Sequence, residues 1–197
     1  MMVRKEEKIK LKKKIITDAL KSCLERDVYS KITVQDIADE SGFSKGGVLH
    51  YFQTKEDIYL ELITDIFTEF EQAHTSILEW NIKLEDVAPI SALVGAEKFI
   101  VDSNNMRIII NLLLYAFEEE KIMAIIRKYI RKQRNFYNSL LKSAKPGNPD
   151  RKFDLEPKYL ARVAQTIVLF VGLLEAVDPI DIDHVEIVKV VSSLLRG

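Results

Sequence analysis

Several features are missing from this chain, and each absence excludes a class of protein. With one cysteine in 197 residues, no disulfide can form within the chain. Cys23 lies on the apolar stripe of a predicted first helix, where we expect it in the core. The N-terminus carries charge without a following apolar run, and the longest strongly apolar stretches, residues 108–117 and 163–174, are shorter than the ~20 residues of a membrane-spanning helix. We therefore expect a cytoplasmic protein without a membrane partner.

Residue patterns typical of metal sites and enzyme active sites are also missing. The three histidines, His50, His74 and His184, are far apart and have no cysteine or paired carboxylate at ligand spacing. The chain has neither a phosphate-binding glycine loop of the Walker type nor a nucleophile elbow. We therefore predict no metal, no cofactor and no enzymatic activity.

Positive and negative charges are nearly balanced, with a formal net charge of -1 at pH 7. Any affinity for nucleic acid must therefore come from local patches of positive charge. One such patch, residues 4–14, holds seven lysines or arginines against two glutamates. This basic segment is either a solubilising disordered end or a DNA contact, in which Arg4, Lys5 or Lys8 reaches the DNA backbone or the adjacent minor groove.

Signals for helix starts and ends are concentrated in residues 33–59. Thr33 and Asp36 have the spacing of a capping box, which predicts a helix that begins at Val34. Gly42 can adopt the left-handed conformation that ends a helix. The first of these helices is therefore short.

Two further helix starts follow at once. Ser44 is placed to cap a second short helix, from Lys45 to about residue 52. Thr54 and Asp57 form another capping box, which predicts a longer helix from Lys55. Two short helices joined by a turn of three residues, with a third helix behind them, are typical of a helix-turn-helix.

Two glycines in the first turn of the second short helix, Gly46 and Gly47, run against helix propensity. Each costs roughly 1 kcal/mol relative to alanine in a helix interior, and somewhat less near an end. Without side chains, they let a phosphate or a base edge approach the N–H groups at this end of the helix. The surrounding residues can donate hydrogen bonds to such groups: Ser44, Lys45, His50, Tyr51 and Lys55. A solvated turn with scattered polar residues is the alternative interpretation.

These residues resemble the DNA-binding domain of the tetracycline-repressor (TetR) family. The family pattern has a capped threonine, an Ile-Ala pair, a glycine turn, a segment Ser-x-Gly-x-Leu-Tyr-x-[His/Tyr]-Phe and a Lys-Glu helix start. Here these features are Thr33, Ile37-Ala38, Gly42, Ser44 to Phe52 and Lys55-Glu56. Two positions differ from the pattern: Leu49 replaces a tyrosine that often touches the phosphate backbone in the family, and Val48 replaces the commoner leucine.

The resemblance implies an all-α protein with an N-terminal three-helix helix-turn-helix domain, residues 1–54. A larger helical domain for ligand binding and dimerisation, residues 55–197, follows. The implied function is transcriptional regulation, by a repressor that binds a palindromic double-stranded DNA operator as a homodimer and is released by a small hydrophobic or amphipathic effector. We expect Lys45, Gly46, Gly47 and His50 to face the bases, and Thr33, Ser44, Tyr51, Thr54 and Lys55 to anchor phosphates.

Helical periodicity continues through the middle of the chain. Apolar residues recur at spacings of three and four from Ile58 toward Trp80, and further helices are predicted at about residues 91–101, 106–117 and 121–142. A loop is predicted at residues 145–150. The family resemblance places an effector pocket among these helices, and the candidate lining residues are Phe67, Phe70, His74, Phe99, Asn111, Tyr115 and Tyr137, with Gln133 as a further polar group. Ordinary core packing is the alternative for each of them.

The two C-terminal segments are candidates for an interface between subunits. Residues 158–177 are apolar almost all round, so one core-facing stripe does not account for them. Asp183 and Glu186 form a capping box for a last helix, although its valine content would also suit a strand. In the TetR family two such helices pack across a two-fold axis, which implies an interface here of Leu160, Ala164, Ile167, Val168, Val171, Val188 and Val191. Burial within the chain's own core is the alternative.

Two other classes of function stay open at the level of sequence. A helical protein that binds small molecules without reading DNA would show no salt-dependent affinity for DNA. An enzyme would need a bound substrate or an ordered metal among the middle helices.

Overall fold

The computed structural model describes residues 2–79, 90, 103–143, 156–178, 180, 183, 185–187, 189, 190 and 193. These residues are helical apart from short turns, and no strand occurs among them. The expected helix at residues 91–101 and the expected loop at residues 145–150 lie outside the described residues. So do several expected site residues, either whole or as side chains: Phe70, His74, Phe99, Ala164, Val168, Val188 and Val191.

The N-terminal helices begin where the capping signals predict. They are α1 (Met2–Arg26), α2 (Val34–Ser41), α3 (Lys45–Tyr51) and α4 (Lys55–Glu79). The predicted starts of α2, α3 and α4 are confirmed. The basic segment at the N-terminus forms the first turns of α1, which lengthens this helix well beyond the helix-turn-helix.

Hydrogen bonds at the helix ends explain these boundaries. The side chains of Thr33 and Asp36 each accept from the other's backbone N–H, as a capping box requires. Gly42 follows α2 with φ 72°, a left-handed conformation in which glycine is the least strained residue. The Ser44 hydroxyl then accepts a hydrogen bond of 3.0 Å from the Gly47 N–H. The turn between the two helices therefore has its caps formed by residues close along the chain.

Three helices follow in the described part of the chain: α5 (Ser103–Glu118), α6 (Glu120–Ser143) and α7 (Pro157–Val177). They match the predictions for residues 106–117, 121–142 and 158–177 to within a few residues. The described residues of the last segment, including residues 185–187, are helical, as the capping box at Asp183 predicts.

The chain folds into two compact units. The first unit is Met1–Phe67 with Arg107–Ile126, and the second is Thr68–Met106 with Arg127–Gly197. The first unit thus contains the helix-turn-helix together with most of α5. The expected division into domains of residues 1–54 and 55–197 stays a prediction.

The core of the first unit is built around one face of α1. Ile16, Ala19, Leu20 and Cys23 are at most 5% exposed on this face, and α1 packs against both α2 and α3. The buried apolar residues of the short helices are Ile37, Ala38 and Val48. Cys23 lies in this core as expected, and burial raises the pKa of its thiol.

One face of α7 packs within the second unit. Leu160 and Ala161 are at most 1% exposed, and the Gln165 side chain donates to Gln133 Oε1 and to the Ile130 backbone oxygen of α6. The expected role of Leu160 in a subunit interface is therefore corrected, since this side chain lies in the core of its own chain.

Residues Pro157–Glu175 form a helix that is long and apolar enough to cross a membrane, by length and composition alone. The sequence predicts no segment of this length. Core helices of water-soluble proteins pass the same test.

Candidate nucleic-acid interface

The surface of α3 carries most of the residues expected to read DNA. Ser44, Lys45, Gly46 and His50 are exposed. Tyr51 is half-buried, because its ring lies edge-on against His50, at 5.1 Å between ring centroids. The helix therefore presents a hydroxyl, an ammonium group and an imidazole to solvent within two turns.

Gly46 and Gly47 are adjacent, but their surroundings differ. A Cβ on Gly47 would lie 3.2 Å from Ser44 Oγ and 3.4 Å from Phe43 Cδ1, so this glycine leaves room for the helix cap. A Cβ on Gly46 would meet nothing within 4 Å. Packing within the described chain therefore does not require glycine at position 46, and an external partner that approaches the backbone closely would.

The two threonines expected to bind phosphates act as helix caps. The Thr33 hydroxyl donates to the Asp36 carboxylate at 2.7 Å, and together with the Thr33 N–H it holds the pKa of Asp36 below its ordinary value. Thr54 Oγ1 accepts from the Asp57 N–H at 3.2 Å. Both threonines are exposed, and their contact with phosphate stays a prediction.

Lys55 has partners that its sequence position did not suggest. Its ammonium group donates to the backbone oxygens of Ile32, at 2.9 Å, and Tyr29, at 3.3 Å. It also lies 5.7 Å and 5.9 Å from the ring centroids of Tyr59 and Tyr115. These contacts hold the connection between α1 and α2, so we expect the Lys55 side chain to stabilise the fold in place of anchoring a phosphate.

Asn111 and Tyr115, expected in the effector pocket, also contact this connection. Asn111 is 4% exposed. Its amide oxygen accepts from the Tyr29 N–H at 2.9 Å, and its amide nitrogen donates to the backbone oxygens of Leu24 and Asp27 at the end of α1. A single side chain of α5 thus satisfies three backbone groups of the α1–α2 connection.

Tyrosine rings complete the same cluster. Tyr115 stacks on Tyr29 with 5.1 Å between centroids and meets Tyr59 edge-on at 4.7 Å. Its hydroxyl donates to Glu56 at 3.0 Å, and burial raises the pKa of the phenol above its ordinary value. We call Tyr29, Lys55, Tyr59, Asn111 and Tyr115 the tyrosine junction.

One signal in the sequence pointed to part of this cluster. Asn111 is a polar residue within the apolar run of residues 108–117, and a buried amide needs hydrogen-bond partners. That signal does not say whether the partner is a ligand or the chain itself. Of the other candidate pocket residues, Tyr137 lies in the second unit at 3% exposure and Phe67 is half-buried.

The N-terminal region of the chain is similar to a known protein family. Residues 16–62 match the family described as bacterial regulatory proteins, tetR family. Over 61 residues the chain is 38% identical to YfiR of Bacillus subtilis (strain 168), an uncharacterized HTH-type transcriptional regulator. This match covers 31% of the chain and 29% of the length of YfiR.

Solved structures resemble the chain over nearly its whole length. The fatty acid degradation regulator FadR from Bacillus halodurans has a TM-score of 0.76 at 19% identity, over 94% of this chain and 95% of that one. AibR, in a complex with isovaleryl coenzyme A and operator DNA, has a TM-score of 0.75 at 16% identity, over 93% and 97%. At these identities the likeness shows the fold, which is that of helical transcriptional regulators.

Alanine at the two glycines should separate packing from recognition. Gly46→Ala should raise the free energy of unfolding by up to ~1 kcal/mol, because alanine favours helix and no described atom opposes its methyl group, while affinity for duplex DNA should fall. Gly47→Ala should give no such gain, since its methyl group crowds the Ser44 cap. Urea unfolding and fluorescence anisotropy with labelled DNA measure both effects. Unchanged DNA affinity of Gly46→Ala would show that no partner approaches the backbone there.

Replacement of Lys55 should show that this side chain stabilises the fold. Lys55→Met should lower the free energy of unfolding by about 1 kcal/mol, because two backbone oxygens lose a charged donor at a half-buried position. The dependence of DNA affinity on salt should keep its slope. Lys45→Met is the matched control, with unchanged stability and weaker DNA binding. A shallower salt slope with unchanged stability in Lys55→Met would instead establish a phosphate contact.

Proposed function

We propose that the chain is a transcriptional repressor that binds a palindromic operator as a homodimer in the cytoplasm, since residues 16–62 match the tetR family of bacterial regulatory proteins. The observation that carries this proposal is the surface of α3. Gly46 leaves the backbone open where no described part of the chain needs the space, and Lys45 and His50 lie exposed beside it. An exposed helix of this kind fits the major groove, where such donors can read base edges.

The effector is proposed to be a small hydrophobic or amphipathic molecule that binds in the second unit. Gln165 is 6% exposed, and among the described residues its Oε1 atom has no hydrogen-bond partner. A buried acceptor without a donor is costly unless something supplies the donor. Since FadR and AibR are a fatty acid degradation regulator and a protein bound to isovaleryl coenzyme A, acyl compounds are the first effectors to test.

Release from DNA requires that the effector favours one position of the helix-turn-helix over another. The tyrosine junction supplies a physical link within the first unit, because Asn111 and Tyr115 of α5 hold the α1–α2 connection directly. A displacement of α5 would strain these contacts and favour a different placement of α1. If the effector binds the DNA-incompetent state about 100-fold more tightly, the coupling is ~2.7 kcal/mol, comparable to a few altered hydrogen bonds.

Selection from sheared DNA of the source organism tests this function directly. Purified protein at moderate salt should retain fragments that share a palindrome, with half-sites separated by about one helical turn, ~34 Å, because two copies of α3 must enter successive major grooves. Acyl compounds that act as effectors should release the retained fragments. Sequencing of the bound and released fractions is the measurement.

A ligand-stripped repeat serves as the control for protein purified with its effector already bound. If stripped protein enriches no sequence and its DNA affinity does not depend on salt, the repressor assignment is wrong. That result would favour the alternative of a helical small-molecule-binding protein without DNA-reading activity.

Dimerisation is proposed to use a face of α7 next to the one expected from sequence. Leu160 is buried in its own chain, whereas five large apolar side chains at helical spacing are 41–77% exposed: Tyr159, Val163, Phe170, Leu174 and Val177. We call them the α7 stripe. A second copy of the chain is the occupant that a palindromic site requires, since it presents an identical stripe across a two-fold axis. Ile167 and Val171, which are also expected in the interface from the sequence, border this stripe.

A charge on the α7 stripe should separate the subunits. Leu174→Glu would place a carboxylate in an apolar interface, where its desolvation is not repaid, so light scattering should give the mass of a monomer. Arg162→Glu, an exposed position outside the stripe, is the control and should stay dimeric. A dimeric Leu174→Glu variant would exclude this face as the interface.

A further inference from the structure

One face of α1 changes character along its length. From residue 16 onward this face is buried against α2 and α3, as Ile16, Ala19 and Cys23 show. Residues three, four and seven apart share a helix face, so Lys12, Lys8 and Lys5 continue the same face toward the N-terminus. The face that packs on the helix-turn-helix therefore becomes mainly basic where the helix extends past it.

The other charges of this segment lie on a different side of the helix. Glu6 and Glu7 stand four and three residues before Lys10, a spacing at which glutamate and lysine attract each other across one turn. Lys5 and Lys8 have no acidic residue three or four positions away, and in the described part of the chain neither forms an ion pair. On an ordinary solvated helix, lysines and glutamates would be mixed on every face. Here they lie on different faces.

Lys12 shows where this basic face points. Its ammonium group lies 5.0 Å from the ring centroid of Phe43, the residue just before the Ser44 cap of α3. Lys13 lies 4.8 Å from the ring of Phe52 at the other end of α3 and pairs with Glu61 at 3.5 Å. The α1 helix is thus tied to both ends of α3, and its basic face passes beside the start of the helix proposed to read DNA.

We propose that Lys5 and Lys8 bind backbone phosphates immediately outside the half-site read by α3. This inference rests on the proposed function and adds a second contact surface to it. With a rise of about 1.5 Å per residue, Lys8 lies about 6 Å and Lys5 about 10 Å beyond Lys12 along the helix. At about 3.4 Å for each base pair, this length of helix spans at most about three base pairs, so the contacted operator extends by up to that much at each end. The partner is the sugar-phosphate backbone, so the added contacts carry no preference for sequence.

The test compares two double variants that lose the same charge from the same helix. Lys5→Gln/Lys8→Gln removes the proposed contacts, and Lys10→Gln/Lys14→Gln is the control on the other side of α1. For the selected operator, the slope of log affinity against log salt should become shallower by about 0.9 for each lost phosphate contact in the first variant and stay unchanged in the control. Hydroxyl-radical footprints should shorten at each end in the first variant alone, by up to about three base pairs.

The outcomes distinguish this inference from the function on which it rests. If the parent protein binds no DNA, the proposed function fails and this inference with it. If the parent binds its operator and the two double variants have equal salt slopes and equal footprints, only the role of Lys5 and Lys8 is overturned. Lys5→Arg/Lys8→Arg should restore the parental slope, because it keeps both charges, and circular dichroism should show the same helix content in all variants.

Discussion

The hydrogen bonds of Asn111 to the α1–α2 connection are the interaction on which the rest of the first unit depends. A helix ends with backbone oxygens that lack partners, and burial of such groups is costly unless donors reach them. Here the donor comes from far along the chain, because the Asn111 amide nitrogen donates to the Leu24 and Asp27 oxygens, while its amide oxygen accepts from the Tyr29 N–H. Arg107, one turn earlier in α5, donates to the Arg26 oxygen at 2.7 Å. Side chains of α5 therefore hold the end of α1 and its connection to α2.

The same contacts give the molecule a physical basis for regulation. Lys55, at the start of α4, and Asn111 and Tyr115 of α5 all contact the connection. A change in either helix alters hydrogen bonds that position α1, and α1 is tied to both ends of α3 by Lys12 and Lys13. In the proposed function, differential binding of an effector would therefore need to bias only a short chain of packed groups to change the proposed DNA-reading surface.

Contacts between residues close along the chain could be predicted from the sequence, and contacts between residues far apart along it could not. Capping pairs such as Thr33 with Asp36 lie three residues apart, so the pattern that forms the contact is visible in the sequence, and the helix starts were confirmed. Lys55 pairs with backbone oxygens 23 and 26 residues away, and no spacing rule reveals such a partner. On α7 the apolar residues surround the helix, so no polar side identified which face turns inward, and Leu160 was assigned to the wrong one.

Net charge is a poor guide to the partner of this chain, because the charges that matter are sorted by face. The formal charge of -1 averages over the whole protein, whereas an approaching phosphate senses mainly charges within about a Debye length, ~10 Å at 0.1 M salt. Within the first turns of α1, Glu6 and Glu7 lie with Lys10, and Lys5 and Lys8 lie with Lys12. A nearly neutral protein can therefore present a basic surface beside α3, since the two glutamates of the same segment lie on another side of the helix.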